Sequence, residues 1–137
     1  LIDIYLEYGL YKEKLVNIVR KGIEGANEIK AMMNGYRSKP PKTINNSKVI
    51  RINDYISSVS TDKLTGKETK IDLIKADVLQ FFLEDGSKIS VRPSGTEPKI
   101  KFYFSVNTKL KSAAVYDDTL QLLDKRIDGI IEDMKLK

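Results

Sequence analysis

The chain has 137 residues, 41% of them hydrophobic and 31% charged, which is the composition of an ordinary globular domain with one core. It has no cysteine, which excludes disulfides and thiolate metal sites, and no histidine, the commonest proton-transfer side chain near neutral pH. No apolar run approaches the roughly 20 residues of a membrane span. We therefore expect no membrane partner and, by default, a cytoplasmic location.

Residues 1–8 place apolar side chains at helical spacing, and Gly9 then supplies a stop. The chain starts inside this pattern and without a methionine. We therefore expect residues 1–13 to be the end of a preceding domain and a hinge, with Gly9–Lys14 as the pivot. Residues 14–137 are expected to form the domain itself.

An alternating, partly β-branched stretch predicts a strand over residues 14–20. Gly22 and Gly25 then precede a helix of about 12 residues, which ends at Pro40-Pro41. Its apolar side chains fall on one face: Ala26, Ile29, Met33 and Tyr36.

Four further strands are predicted, at Lys48–Ile56, Val78–Leu83, Lys88–Arg92 and Lys99–Val106. An insertion from Ser57 to Lys75 separates the first two, and Thr65-Gly66 predicts a small exposed hairpin within it. Asp85-Gly86 predicts a tight hairpin between the second and third strands. Alternation in the fourth strand predicts inward side chains at Ile100, Phe102, Phe104 and Val106.

A long helix is predicted from about Ser112. Its apolar stripe consists of Tyr116, Leu120, Leu123, Ile127, Ile130 and Met134. Asp117 and Asp118 indicate favourable charge in its first turn rather than a metal site. The resulting order, β-α-β-β-β-β-α, predicts an α+β fold in which two helices cover one face of a mainly antiparallel sheet.

The loop at residues 92–98 carries the most chemistry, with the sequence Arg-Pro-Ser-Gly-Thr-Glu-Pro. Arg92 offers a planar fork of donors that suits phosphate oxygens. Ser94 and Thr96 offer hydroxyl groups, and Gly95 allows backbone N–H groups to converge on an anion. Ser-Gly-Thr is also common turn chemistry, so composition alone leaves a phosphate site and a plain turn both open.

This loop and the strand after it closely resemble the C-terminal phosphate-binding loop of the α-D-phosphohexomutase superfamily of phosphoglucomutases and phosphomannomutases. The stretch from Tyr8 to Gly22 resembles the junction between that family's third and fourth domains. Val78–Ser90 resembles the strand pair before the loop. The resemblance covers most of the chain and is weakest from Ser57 to Lys75.

The resemblance implies the fourth domain of an enzyme that interconverts hexose 1-phosphate and 6-phosphate through a phosphoserine. This domain clamps the phosphate that is not reacting and, with the other domains of the same enzyme, helps to close the cleft. Carried over by position, the phosphate ligands are Arg92, Ser94, Gly95 and Thr96, with Glu97 and Lys99 as secondary candidates.

The resemblance implies no catalytic residue in this chain, which alone is expected to be inactive. The family's serine-histidine-asparagine-proline active-site loop and its Asp-Gly-Asp metal motif both lack a counterpart here. We therefore expect no metal or cofactor in this chain, and Mg²⁺ in the second domain of the parent enzyme.

Two alternatives stay open at this point. One is a basic α+β module that binds nucleic acid, since the net charge is +5. The 24 Lys and Arg residues are scattered among 19 acids, however, and alternation exposes only Tyr103 on the last strand, whereas base stacking needs two or three rings. The other is a structural domain whose loop contacts a partner. We expect a hexose phosphate ligand and no nucleic acid.

Overall fold

The computed structural model of the protein describes residues 9–94, 98–110, 112–134 and 136. The helix expected over residues 1–8 lies outside this part of the chain. The strands are β1 (Leu10–Val19), β2 (Thr43–Ile44), β3 (Ser47–Asp54), β4 (Val59–Asp62), β5 (Glu68–Lys70), β6 (Leu79–Leu83), β7 (Lys88–Pro93) and β8 (Lys99–Thr108). The helices are α1 (Gly22–Ser38) and α2 (Tyr116–Asp133), the second entered through a 3-10 turn at Ala113–Val115.

The strands form one sheet in the order β1-β8-β7-β6-β3-β4-β5, and β2 pairs with β3 beside this path. Every pairing between the described strands is antiparallel. Together with the two helices, this sheet confirms the predicted α+β fold class. Within the described ranges, no helix is both long enough and apolar enough to cross a membrane.

Three short strands, β2, β4 and β5, add to the predicted order. β4 and β5 lie in the insertion and extend the sheet beyond β3, joined by the predicted turn, in which Gly66 has φ +76°. Strands of two to four residues contain too few alternations to be recognised by periodicity. The insertion is therefore part of the sheet.

β1 begins at Leu10, four residues before the predicted strand. It pairs with β8 along its whole length, from Leu10 opposite Thr108 to Val19 opposite Lys99. This tertiary pairing explains why the strand runs through a charged stretch that shows no strand pattern of its own. α1 is also longer than predicted, 17 residues, because it begins at Gly22 rather than after Gly25.

The core lies on one face of the sheet. Its β8 side chains are at most 1% exposed: Ile100, Phe102, Phe104 and Val106. The helices cover this face with the buried side chains Ile29 and Met33 of α1 and Leu123, Ile127 and Ile130 of α2. The predicted apolar stripes of both helices are thus confirmed as core.

Tyr36 connects α1 to the centre of the sheet. Its ring meets Phe81 and Phe102 edge to face, with centroid distances of 6.0 and 6.2 Å. Burial against these rings raises the pKa of Tyr36. These ring contacts set the distance between α1 and the sheet at β6 and β8.

The β2–β3 turn docks onto α2. Its two residues, Asn45 and Asn46, have φ of +52° and +62°, the left-handed conformation that a two-residue hairpin turn requires. The Asn45 N–H donates to Oδ2 of Asp133 at 2.7 Å. A Cβ atom on Gly129 would lie 2.6 Å from Oδ1 of Asn45, so the glycine makes room for this side chain.

Candidate functional site

The predicted phosphate loop joins β7 to β8, and hydrogen bonds fix both of its ends. The Ser94 N–H donates to the Lys99 carbonyl at 2.8 Å, and the Arg20 N–H donates to the Pro98 carbonyl at 2.7 Å. The predicted ligands Gly95, Thr96 and Glu97 lie outside the described residues. Of the predicted site residues, the structure therefore places Arg92, Ser94 and Lys99.

Arg92 is exposed on the face of the sheet opposite to the helices, at the end of β7. Its Cα is paired with that of Lys101 on β8, and Lys99 lies two residues from Lys101 on the same face. Like charges directly opposite each other on neighbouring strands are destabilising. Three cationic residues thus lie on one face of two adjacent strands beside the loop, and their mutual repulsion does not stabilise the fold.

Arg92 also differs from the other arginines of the chain. Arg20, Arg37 and Arg126 form ion pairs, and Arg51 donates to the Ser60 hydroxyl. Among the residues that the structure describes, Arg92 has neither an ion-pair partner nor a hydrogen-bond partner for its guanidinium. The fork of donors at the loop is therefore available to an external anion.

A line of hydrogen bonds crosses the open face of the sheet towards Arg92. Ser60 donates to Asn53 Oδ1 at 2.5 Å, and Tyr55 donates to Gln80 Oε1 at 2.8 Å. Gln80 Nε2 then donates to the Ser90 hydroxyl at 3.2 Å. Ser90 precedes Arg92 by two residues on the same strand and face. These hydrogen bonds between polar side chains connect β7 to β6 as far as Ser90, two residues before Arg92.

A groove of about 660 Å³ runs between α1 and the loop. Ala26, Ile29 and Met33 form its helix wall, and Ser94 and Pro98 belong to its loop wall. The helix side of the loop is therefore bounded by α1, while Arg92 faces the opposite side of the sheet.

Sequence reasoning did not identify Arg20 as part of this site. Its amide holds the loop only because β1 pairs with β8, and these strands are far apart in the sequence. No local pattern marks such a residue. A backbone donor of this kind becomes visible only when the strand order is known.

The described residues bring together no group of three or more His, Cys, Asp or Glu side chains suitable for a metal ion. Asp117 and Asp118 lie in the first turn of α2, as predicted. In that position their negative charges interact favourably with the positive end of the helix dipole. The described residues therefore offer no donor set that suits a Mg²⁺ ion.

The sheet does not favour the nucleic-acid alternative. Phe102 and Phe104 are buried and Tyr103 is 43% exposed, as the alternation predicts. Among the described residues, the other exposed ring on this face near β8 is Tyr11, which lies opposite Asn107, four residues along from Tyr103. Four residues of strand span about 13 Å, too far for the two rings to stack adjacent bases.

The geometry defines an α+β domain with three cations beside the loop at one end of its open sheet face. Residues 32–121 match the family model described as "Phosphoglucomutase/phosphomannomutase, C-terminal domain". The chain therefore belongs to the phosphoglucomutase/phosphomannomutase family and corresponds to its C-terminal domain. The resemblance inferred from the loop is confirmed.

Relatives support this assignment. A phosphoglucomutase of Staphylococcus haemolyticus is 39% identical over 105 residues, which are 77% of this chain and 19% of the relative. A phosphoglucomutase of Staphylococcus aureus is 34% identical over 125 residues, 91% of this chain and 22% of the relative. The chain thus spans about a fifth of the length of these relatives.

One solved structure with a similar chain is pp63/parafusin, a phosphoglucomutase from Paramecium in its open form. It is 19% identical, has a TM-score of 0.47, and the match covers 96% of this chain and 22% of that one.

Proposed function

We propose that this chain is the phosphate-clamping domain of an enzyme that interconverts hexose 1-phosphate and 6-phosphate through a phosphoserine. In this proposal the domain holds the phosphate group that is not reacting. Its ligands are Arg92, Ser94, Gly95 and Thr96, with Glu97 and Lys99 in secondary roles. The observation that carries the proposal is the cluster of Arg92, Lys99 and Lys101 beside the loop, in which Arg92 has no described partner.

The cluster suits a phosphate for electrostatic and geometric reasons. A dianion placed between the three cations is attracted to each of them, and this attraction offsets their mutual repulsion. The guanidinium fork can contact two phosphate oxygens at once, and charge-assisted bonds of this kind are about twice as strong as neutral ones. Such binding of a remote group orients and encloses the reacting end of the substrate.

The domain is also proposed to move when the cleft closes, with Gly9 as the pivot. Gly9 has φ +93° and immediately precedes β1. A left-handed conformation at this position favours glycine and lets the chain change direction before the strand. Structures of the parent enzyme with and without substrate would test this role, since a fixed domain orientation in both contradicts it.

The other activities of the parent enzyme are carried over from the family. Phosphoryl transfer belongs to the remaining domains, and this chain alone is proposed to be inactive. Glucose and mannose phosphates are the proposed substrates, since the relatives are phosphoglucomutases and the matching family model names both mutases. Mg²⁺ in the parent enzyme and a cytoplasmic location stay predictions.

The test is an NMR titration of the chain with glucose 1-phosphate, using unphosphorylated glucose as the control ligand. We expect the amides of Arg92, Ser94 and Lys99 to shift with the phosphosugar alone. One arginine and a few hydroxyl groups correspond to a dissociation constant on the order of millimolar. Equal shifts with glucose would contradict the phosphate clamp.

A pair of variants sharpens this test. Arg92→Ala should weaken binding by about ten- to a hundredfold, because a hydrogen bond to a charged group contributes about 1.5–3 kcal/mol. Lys88→Ala removes the same charge from the same strand and face, four residues away, and should leave the affinity within about twofold. If both variants bind as the unaltered chain does, the loop is not the phosphate site.

A further inference from the structure

We infer that Gly25, in the first turn of α1, is a positioning residue for the phosphate-binding loop and acts through the backbone of Arg20. The inference rests on the function proposed above. It concerns a residue that does not touch the ligand and lies more than sixty positions from the loop in the sequence.

Gly25 allows the helix to lie directly on the backbone of Arg20. A Cβ atom at Gly25 would be 2.6 Å from the carbonyl carbon of Arg20 and 2.7 Å from its Cβ. Side-chain carbons do not approach other atoms below 3.0 Å, so any larger residue must displace α1 or Arg20. By contrast, a Cβ atom at Gly35, in the later part of α1, would meet no atom within 4 Å.

Arg20 is in turn attached to the loop. Its N–H donates to the Pro98 carbonyl at 2.7 Å, and Nε of its side chain pairs with Oε2 of Glu28 on α1 at 3.0 Å. The next residue after Pro98 accepts the Ser94 N–H, which closes the loop from the other side. A continuous path of contacts therefore leads from the first turn of α1 to both ends of the loop.

The expected displacement is large enough to break this path. Restoring an ordinary contact distance of 3.4 Å from 2.6 Å requires a shift of about 0.8 Å between Gly25 and Arg20. If Arg20 moves by that amount along its bond to Pro98, the 2.7 Å hydrogen bond lengthens to about 3.5 Å. That distance is beyond the range of a good N–H···O hydrogen bond. Misplacing a binding group by about 1 Å sharply lowers the affinity and the reaction rate.

The experiment compares Gly25→Ala with Gly35→Ala in the same chain. Both changes replace a glycine of α1 by alanine, but only the first meets a neighbouring backbone. We expect Gly25→Ala to weaken glucose 1-phosphate binding by about tenfold at a temperature at which both variants are fully folded. Gly35→Ala should bind as the unaltered chain does. Equal affinity of the two variants would overturn the inference.

The unaltered chain supplies a second test if Gly25→Ala fails to fold. Because its N–H is bonded to the loop, the amide of Arg20 should shift during the glucose 1-phosphate titration and exchange its hydrogen more slowly in the bound state. If neither the chemical shift nor the exchange rate of the Arg20 amide changes when the ligand binds, the inference is also overturned. Failure of Arg92→Ala to weaken binding would instead refute the phosphate site itself, so the two failures are distinguishable.

Discussion

Arg92 shows how much a single residue's role can be inferred from sequence. A guanidinium beside two hydroxyl groups and a glycine suits an anion, although these residue types are also common in turns. The exposure of Arg92 on the face away from the helices is a finding of the structure. Its pairing opposite Lys101 and its lack of a described partner depend on strand register and tertiary contacts. These two features separate Arg92 from the other four arginines, and local sequence does not contain them.

The turn at Asn45 is absent from the predicted elements, although the sequence holds a signal for it. Asparagine tolerates positive φ better than most residues, so two consecutive asparagines are compatible with a turn in which both residues have positive φ. β2 is so short that its strand pattern cannot support the signal. The docking of the turn on α2 depends on Gly129, which is distant in sequence.

We predict that Asn45→Ala lowers the free energy of unfolding by about 1–2 kcal/mol, because alanine is strained in the left-handed conformation. Asn45→Gly should lower it by much less, since glycine adopts this conformation freely. Urea unfolding at 25 °C measures both values. If the two variants are equally destabilised, the contacts of the Asn45 side chain with α2 matter more than its backbone angle.

Among the elements, β4 and β5 correspond to the small exposed hairpin that Thr65-Gly66 predicts, but its place in the sheet is not predicted. Asp62, at the end of β4, accepts a hydrogen bond from the Leu64 N–H at 2.8 Å and one from the Thr65 N–H at 3.3 Å. These bonds, the one from Leu64 foremost, hold the pKa of Asp62 below its ordinary value of 3.8, and the charge of Arg51 acts in the same direction. A charged Asp62 thus stabilises the turn.

The sign of this shift gives a pH prediction. A lowered pKa in the folded hairpin means that Asp62 contributes stability above its ordinary pKa of 3.8 and loses it as the pH falls through the lowered value. We expect the Leu64 amide shift to titrate with a midpoint below 3.8. NMR spectra at decreasing pH measure this midpoint, with Asp62→Asn as the control that lacks the titration. A midpoint at or above 3.8 contradicts the assigned hydrogen bonds.

At the scale of the whole molecule, the long strands and both helices could be predicted because each has a periodic apolar face. The stripes on α2 and β8 are long enough to identify both the element and its buried side. The start of β1, the strand β2 and the place of β4 and β5 in the sheet could not be predicted, because they depend on pairing with neighbouring strands. The order of strands in the sheet follows from the same long-range pairings.

The one-sided core leads to a prediction for two adjacent residues. Phe102 is 0% exposed and packs against Tyr36, whereas Tyr103 points to the open face and is 43% exposed. Phe102→Ala should lower the free energy of unfolding by about 3–5 kcal/mol, and Tyr103→Ala by about 1 kcal/mol or less. Urea unfolding followed by circular dichroism measures both. Similar losses for the two variants would contradict a core on one face only.

The pairing of β1 with β8 has a consequence for the time course of synthesis. Leu10 leaves the ribosome long before its partner Thr108, and at 5–20 residues per second the intervening chain takes roughly 5–20 s to translate. During that interval β1 has no neighbour in the sheet, and Leu15 and Val19 remain exposed on it even in the finished fold. An unpaired strand of this kind is open to pairing with other chains. We therefore expect the nascent protein to be most prone to aggregation just before β8 emerges.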